Sequence, residues 1–205
     1  MTAIRLERLQ QLGPRGVACC VACKVVYGAL QPIFRYDWWH ASSPYCCREY
    51  KRRTVELAST VDAEVAVDLG CGFGEIITRV KARRRYGIDR SPEAIRFARF
   101  INGRKAKFIE GSITDPAGIG ANLKEPRIDL LIITGWLHGV PFARVQTWLT
   151  ELREVMPVGR LLIDTVHTIH DGYAHTAEDL SRLGQVEISI PGGGGRRDLH
   201  LIRIE

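Results

Sequence analysis

Gly70, Gly72 and Gly74 alternate through "DLGCGFGE" (68–75), directly after the apolar run "EVAV". A strand that ends in glycines and feeds a helix turns backbone N–H groups and a positive dipole end toward a ligand. A dinucleotide, a nucleoside triphosphate and S-adenosylmethionine are the competing ligands. A pyrophosphate calls for G-x-G-x-x-G, and here Glu75 stands where that pattern needs its third glycine. Asp68 lies two residues before Gly70, at the end of the strand. An acid there repels a pyrophosphate and suits a ligand with an ammonium group. A second acid, Asp89, ends "RYGID", where a carboxylate accepts hydrogen bonds from both hydroxyls of a ribose. One strand further on, "FIEGSITD" puts Gly111, Ser112 and Ile113 in place to line an adenine. The glycines alone are weakly specific; the ordered set of loop, acid and third loop is much more so.

These residues need a parallel sheet to hold them. From residue 64 onward, β-rich runs ("EVAVDLG", "RYGID", "AKFIEG", "IDLLIITG", "RLLIDTV", "QVEISI", "DLHLIRI") alternate with helical patterns. Continuous apolar strands separated by helices indicate a sheet covered on both faces. The spacing predicts helices over "EIITRVKA", over "SPEAIRFARFI" with Ser91 as cap and Pro92 in its first turn, and over "FARVQTWLTELREVM". In the last, Phe142, Val145, Leu149, Leu152 and Val155 recur at helical spacing and read as core. "PGGGGRR" (191–197) leaves no room for a helix, so the final two strands form an antiparallel hairpin. Before residue 64, a helix starts at Ser43 and Pro44. The division is an N-terminal helical segment and lid, 1–63, and a ligand-binding α/β domain, 64–205.

"VDLGCGFGE" and "GIDRSPEAIRFAR" together resemble the first motif and the second strand of the class I S-adenosylmethionine-dependent methyltransferases of small-molecule type. The resemblance spans roughly residues 35–204. It implies a Rossmann-like, seven-stranded, mostly parallel sheet with helices on both faces, a C-terminal antiparallel hairpin and one reversed strand at the edge. Carried over by position, Asp68, Gly70, Cys71, Gly72 and Gly74 surround the methionine part, Asp89 holds the ribose, and Arg90 and Ile113 flank the adenine. Where the family often has Asp for the adenine amino group this chain has Ser112, a weaker partner. The loop after the fourth strand, "IITGWLHGVP", implies Thr134, Trp136 and His138 beside the methyl group. "YDWWHASSPYCCREY" (36–50) resembles the family's lid, so Tyr36, Trp39, His40 and Tyr45 are candidates to close the pocket.

Methyl transfer is an in-line displacement at a sulfonium carbon. It requires an aligned nucleophile, exclusion of water and, for a proton-bearing oxygen or nitrogen, a base. "DTVHTIHDGYAHT" brings His167, His170, Asp171, Tyr173 and His175 to the edge where ligands bind in open α/β sheets. His167 is the first candidate for the base and His138 the second, while His170 and Tyr173 are candidates to contact the acceptor. The cluster reads as proton-transfer or substrate chemistry, with no metal assigned. No Pro-Pro-Tyr/Trp motif and no Pro-Cys nucleophile occurs, so a small-molecule acceptor, a biosynthetic intermediate or a sugar, is favoured over nucleic acid. An RNA methyltransferase using the basic runs, and a non-catalytic S-adenosylmethionine-binding protein, are the alternatives.

The chain of 205 residues carries a formal charge of +6, concentrated in "CCREYKRR" (46–53) and "VKARRRYG" (80–87). These runs read as a solvated helix face and a helix C-terminus, where cations suit the dipole. Six cysteines, at 19, 20, 23, 46, 47 and 71, make a poor disulfide framework. "CVAC" has the spacing of half a zinc site but lacks a second such pair, so the cysteines read as reduced packing residues of a cytoplasmic protein. "GVACCVACKVVYGALQPIF" (16–34) is apolar around Lys24. Packing on the domain or on a second copy comes first for it, and peripheral membrane contact through residues 1–34 second.

Overall fold

The structure, a computed structural model, describes residues 3–42, 44–112, 114–167 and 173–204, the side chains of residues 3–11 excepted. Its strands are β1 (Ala63–Leu69), β2 (Ala82–Asp89), β3 (Lys107–Glu110), β4 (Ile128–Ile133), β5 (Val158–Val166), β6 (Gln185–Pro191) and β7 (Arg197–Arg203). They form one seven-stranded sheet in the order β3-β2-β1-β4-β5-β7-β6. Pairing is parallel from β3 across to β5 and antiparallel at β5–β7 and β6–β7. The sequence expectation of a mostly parallel sheet closed by a hairpin therefore holds. The reversed strand, however, lies one place in from the edge. Leu199, Leu201 and Ile202 of β7 are buried, whereas most of β6 is exposed, so the more apolar strand takes the inner position.

The chain leaves β1 in opposite directions, to β2 and to β4, which sets the topological switch point where open α/β sheets bind ligands. Apolar side chains fill both faces of the sheet. Val67, Leu131 and Ile163 pack with α5 (Pro116–Leu123) and α6 (Phe142–Val155) on one side, and Ala66, Leu130 and Ile132 with α3 (Glu49–Ala58) and α4 (Pro92–Asn102) on the other. Ser91 caps α4 as its sequence predicts, its hydroxyl accepting from the Ala94 N–H at 3.1 Å.

Several expectations are corrected. The helix predicted over "EIITRVKA" shrinks to turns and one 3₁₀ turn, Ile77–Arg79, because β2 already starts at Ala82. The basic run at 83–85 thus lies on a strand, where Arg84 pairs with Glu64 and Glu125. Val155 is exposed and Trp148 takes a buried place on α6 instead. Ser43 lies outside the described residues; a 3₁₀ turn, Tyr45–Cys47, precedes α3, which begins at Glu49.

The N-terminal segment folds as α1 (Ala3–Phe34), bent at Gly13, whose φ of 62° glycine tolerates. A short α2 (Trp38–Ser42) follows. Tyr27 and Phe34 of α1 and Tyr36 after it pack against Phe73 of the glycine loop and Phe97 of α4, with ring centroids 4.5–5.5 Å apart. This aromatic cluster seats the segment on the domain. The cysteines are not all reduced. Residues 27 apart in sequence meet with Cα atoms 5.3 Å apart, and a disulfide joins Cys20 to Cys47.

Candidate active site

Four loops at the C-terminal ends of β1, β2, β3 and β4 meet α2 and α3 around a cavity of about 760 Å³. The glycine loop shapes its floor. Gly70 and Gly72 have φ of 72° and 52°, and both line the cavity. At Gly70 a Cβ would stand 2.4 Å from Nε1 of Trp136, so the absent side chain lets the indole lie on the backbone. That indole N–H donates to the Leu69 carbonyl at 2.8 Å, fixing the ring as part of the wall. Gly74 does not line the cavity. With φ of 73° it lets Phe108 approach, and a Cβ there would stand 2.2 Å from that ring.

Asp68 is buried in the cavity wall, and its Oδ2 accepts no hydrogen bond among the described residues. Burial pushes this carboxyl up to about 8, with Lys51 opposing the rise and Asp89 adding to it. Thr134 lines the cavity from the end of β4, and its hydroxyl too has no partner among the described residues. An acid and a hydroxyl left open at the same cavity wall fit a ligand carrying an ammonium group. Asp89 accepts from Gly72 N–H at 2.8 Å and Ser91 N–H at 3.0 Å, one bond to each oxygen, which leaves each oxygen further acceptor capacity toward the cavity. Arg90 and Ser112 also line it. Ile113 lies outside the described residues. Cys71 reaches the cavity with its thiol buried, which pushes it well above the usual thiol range.

From the lid, Trp39 and His40 line the cavity. His40 Cδ2 lies over Gly72, 3.3 Å from where a Cβ would be. Burial lowers its imidazole, while Asp89 and Asp37 partly offset the fall. Tyr36 and Tyr45 do not line it. Tyr36 is a buried anchor whose hydroxyl donates to the Tyr27 carbonyl, and Tyr45 stacks its ring under Arg79, 4.2 Å from the centroid.

The histidines sort differently from their sequence reading. His167 lies outside the cavity, its Nε2 2.7 Å from Asp198 Oδ2 across the β5–β7 pair. His175 is buried with Nε2 3.1 Å from the Leu137 carbonyl. His170 and Asp171 lie outside the described residues. Tyr173 is exposed, its N–H donating to the His138 carbonyl at 2.8 Å. His138 does not itself line the cavity, although Trp136 and Gly139 on either side of it in sequence do, and its buried Nδ1 has no partner among the described residues.

Two polar groups were invisible in the sequence as site components. Lys51 belongs to the basic run read as a solvated face, yet it lines the cavity with Nζ 2.6 Å from Glu75 Oε2. The other oxygen of Glu75 accepts from the Tyr27 hydroxyl and the Tyr45 N–H, both at 2.9 Å. Glu75 thus binds α1, the lid and α3 to the glycine loop. Its only sequence signal was an acid in place of a glycine. Behind the β4 loop, buried Asp164 accepts from the Gly135 N–H at 2.8 Å and pairs with Arg197 of β7.

A sequence profile described as a methyltransferase domain matches residues 61–194, well over half of the chain. No curated protein sequence matches it. Among solved structures, the chain is similar to the N-methyltransferase NodS from Bradyrhizobium japonicum WM9 in complex with S-adenosyl-L-homocysteine, at 17% identity and TM-score 0.60 over 87% of this chain and 97% of that one. It is also similar to magnesium protoporphyrin IX methyltransferase from Synechocystis PCC 6803 with bound S-adenosylmethionine, at 14% identity and TM-score 0.55, covering 76% and 80%. Aeropyrum pernix fibrillarin, likewise with S-adenosyl-L-methionine, gives 12% and 0.55 over 76% of each chain. At these identities the likeness is one of fold.

Proposed function

From a chain that belongs to the methyltransferase-domain family, we propose an enzyme that methylates an oxygen or nitrogen of a small molecule with S-adenosylmethionine as donor. The observation that carries this reading is the pair of unpartnered groups, Asp68 Oδ2 and Thr134 Oγ1, in a cavity whose neighbouring strand ends in Asp89. When bound, the donor supplies an electrophilic methyl group on a sulfonium and leaves as S-adenosylhomocysteine. Asp68 answers its ammonium, Asp89 takes the ribose hydroxyls, and Arg90 and Ser112 border the adenine. Trp136, locked to Leu69, holds the wall beside the methionine part. The segment 1–63 supplies the lid, with Trp39 and His40 excluding water.

The acceptor enters on the side of Tyr50, Gly135 and Val140, which line the same cavity. His138, beside cavity-lining Trp136 and with a buried Nδ1 that has no partner among the described residues, takes the acceptor's proton once its ring turns to the acceptor, and His167, already bonded to Asp198, is set aside as base. A cavity of about 760 Å³ holds the cofactor and an acceptor of modest size. The basic runs give nucleic acid little to grip, since Lys51 faces Glu75 and Arg84 faces Glu64 and Glu125. The cytoplasmic expectation loses its argument from reduced cysteines with the Cys20–Cys47 disulfide, and we place α1 against a membrane through exposed Val21, Val25, Val26 and Ile33.

Calorimetric titration with S-adenosylmethionine and S-adenosylhomocysteine tests the reading. Micromolar binding that Asp89→Ala abolishes supports it; no binding by well-folded protein overturns it. A pH–rate profile that loses its acidic limb in His138→Gln assigns the base, and an unchanged profile removes His138 from that role.

A further inference from the structure

Away from the cavity, on the outer side of the lid, five of the six cysteines come together. Cys20 and Cys47 are joined by the disulfide, and their chain neighbours Cys19 and Cys46 remain thiols beside Cys23. The Sγ atoms of Cys19, Cys23 and Cys46 all lie within 4.8 Å of one another. Cys19 and Cys23 stand four residues apart on α1, so they share one helix face. Cys46 approaches from the 3₁₀ turn of the lid. The pair spaced as "CVAC" is not the one used, because its Cys20 is taken by the disulfide; Cys19 and Cys23 are the thiols left on α1, and Cys46 joins them from a segment distant in sequence.

We infer that Cys19, Cys23 and Cys46 form a three-thiolate site for a thiophilic divalent cation of the zinc class, which pins the N-terminal helix to the lid. Tetrahedral zinc holds thiolates at Zn–S of roughly 2.3 Å, which puts the sulfurs about 3.8 Å apart. The three sulfurs, within 4.8 Å of one another, need close by no more than about 1 Å to reach that spacing, which rotamer changes on two elements can supply. Each ligand gives up its proton to solvent as the cation binds. The fourth position opens toward solvent on the side of exposed Cys19 and takes a water. No carboxylate or histidine competes, since among the described residues the cation-sized cluster consists of these three thiols. The disulfide beside it keeps α1 and the lid turn in register, so the site is preorganised before any ion arrives. This assignment stands apart from the methyl-transfer reading, and its test does not use activity.

The experiment takes the full chain with the disulfide intact, with zinc competed against a chromophoric chelator and cobalt as the spectroscopic probe. The expected result is one equivalent bound, and a cobalt form showing thiolate-to-metal charge transfer with tetrahedral d–d bands. Cys19→Ser and Cys46→Ser each weaken zinc by more than about tenfold, the scale that loss of even an outer partner reaches. The double variant Cys20→Ser/Cys47→Ser keeps the equivalent. On the unaltered protein, zinc protects Cys19, Cys23 and Cys46 from iodoacetamide, as read by peptide mass spectrometry, which needs no variant to fold. No binding by the native chain, unchanged binding by both single variants, or loss in the double variant alone overturns the assignment.

Discussion

Asp68 carries the clearest pH signature at the scale of single residues. Its carboxyl is pushed up to about 8 by burial. An ammonium ligand favours the carboxylate, so below that value binding must first expel a proton. Cofactor affinity should therefore rise with pH, by up to about tenfold per unit, and level off above about 8. Asp68→Asn should flatten the profile and weaken binding, both read by calorimetry at several pH values. Folding responds in the opposite sense. The raised carboxyl of the ligand-free protein makes stability fall as pH climbs from the unfolded value near 4 toward 8, since ionising it in place is costly. Residues whose meaning follows from their strand position, Asp68 and Asp89, were legible in the sequence. Lys51 and Glu75 were not, because a cation in a basic run and an acid after a glycine acquire roles only when α3 folds over the loop.

Elements hold the site through a few shared anchors. Glu75 satisfies groups from α1, the lid and α3 at once. Glu75→Gln removes the charge that faces the Lys51 ammonium and the acceptor that Tyr27 and Tyr45 share, and should destabilise the chain by about 1–3 kcal/mol, measured by urea unfolding. It should also loosen the lid, so the cofactor KM rises more than kcat falls. Gly74→Ala combines a positive φ with a clash against Phe108 and should destabilise by at least about 1 kcal/mol. The strands and the hairpin could be read from apolar runs and the glycine-rich connection, but the inner place of the reversed strand could not. The missing helix after the glycine loop could not, because "EIITRV" has helical spacing and only the early start of β2 removes the room for it.

Across the whole molecule, α1 is the least committed part. Leu12–Phe34, 23 residues long, is apolar enough by length and composition to cross a membrane, and little of it is buried. Tyr27 and Phe34 dock on the aromatic cluster while Val21, Val25, Val26 and Ile33 face outward, near exposed Arg15, Lys24 and Arg35. The full chain should co-sediment with vesicles containing anionic lipid, and Val25→Asp/Ile33→Asp should abolish this without changing cofactor affinity. Sedimentation velocity without lipid separates this outcome from self-association through the same face. The sequence placed both surfaces in this helix but could not assign them, since its apolar residues run all the way round.

The insertion of β7 beside β5 ties cofactor capture to the timetable of synthesis. Gly135 is held by Asp164, and Asp164 by Arg197, which enters the sheet only with the returning arm of the hairpin. A nascent chain can pair β1 to β5 as they emerge, yet the loop at Gly135 stays unbraced until Arg197 has cleared the ribosome. On the proposed reading of that loop, competence to hold the donor arrives in a single late step.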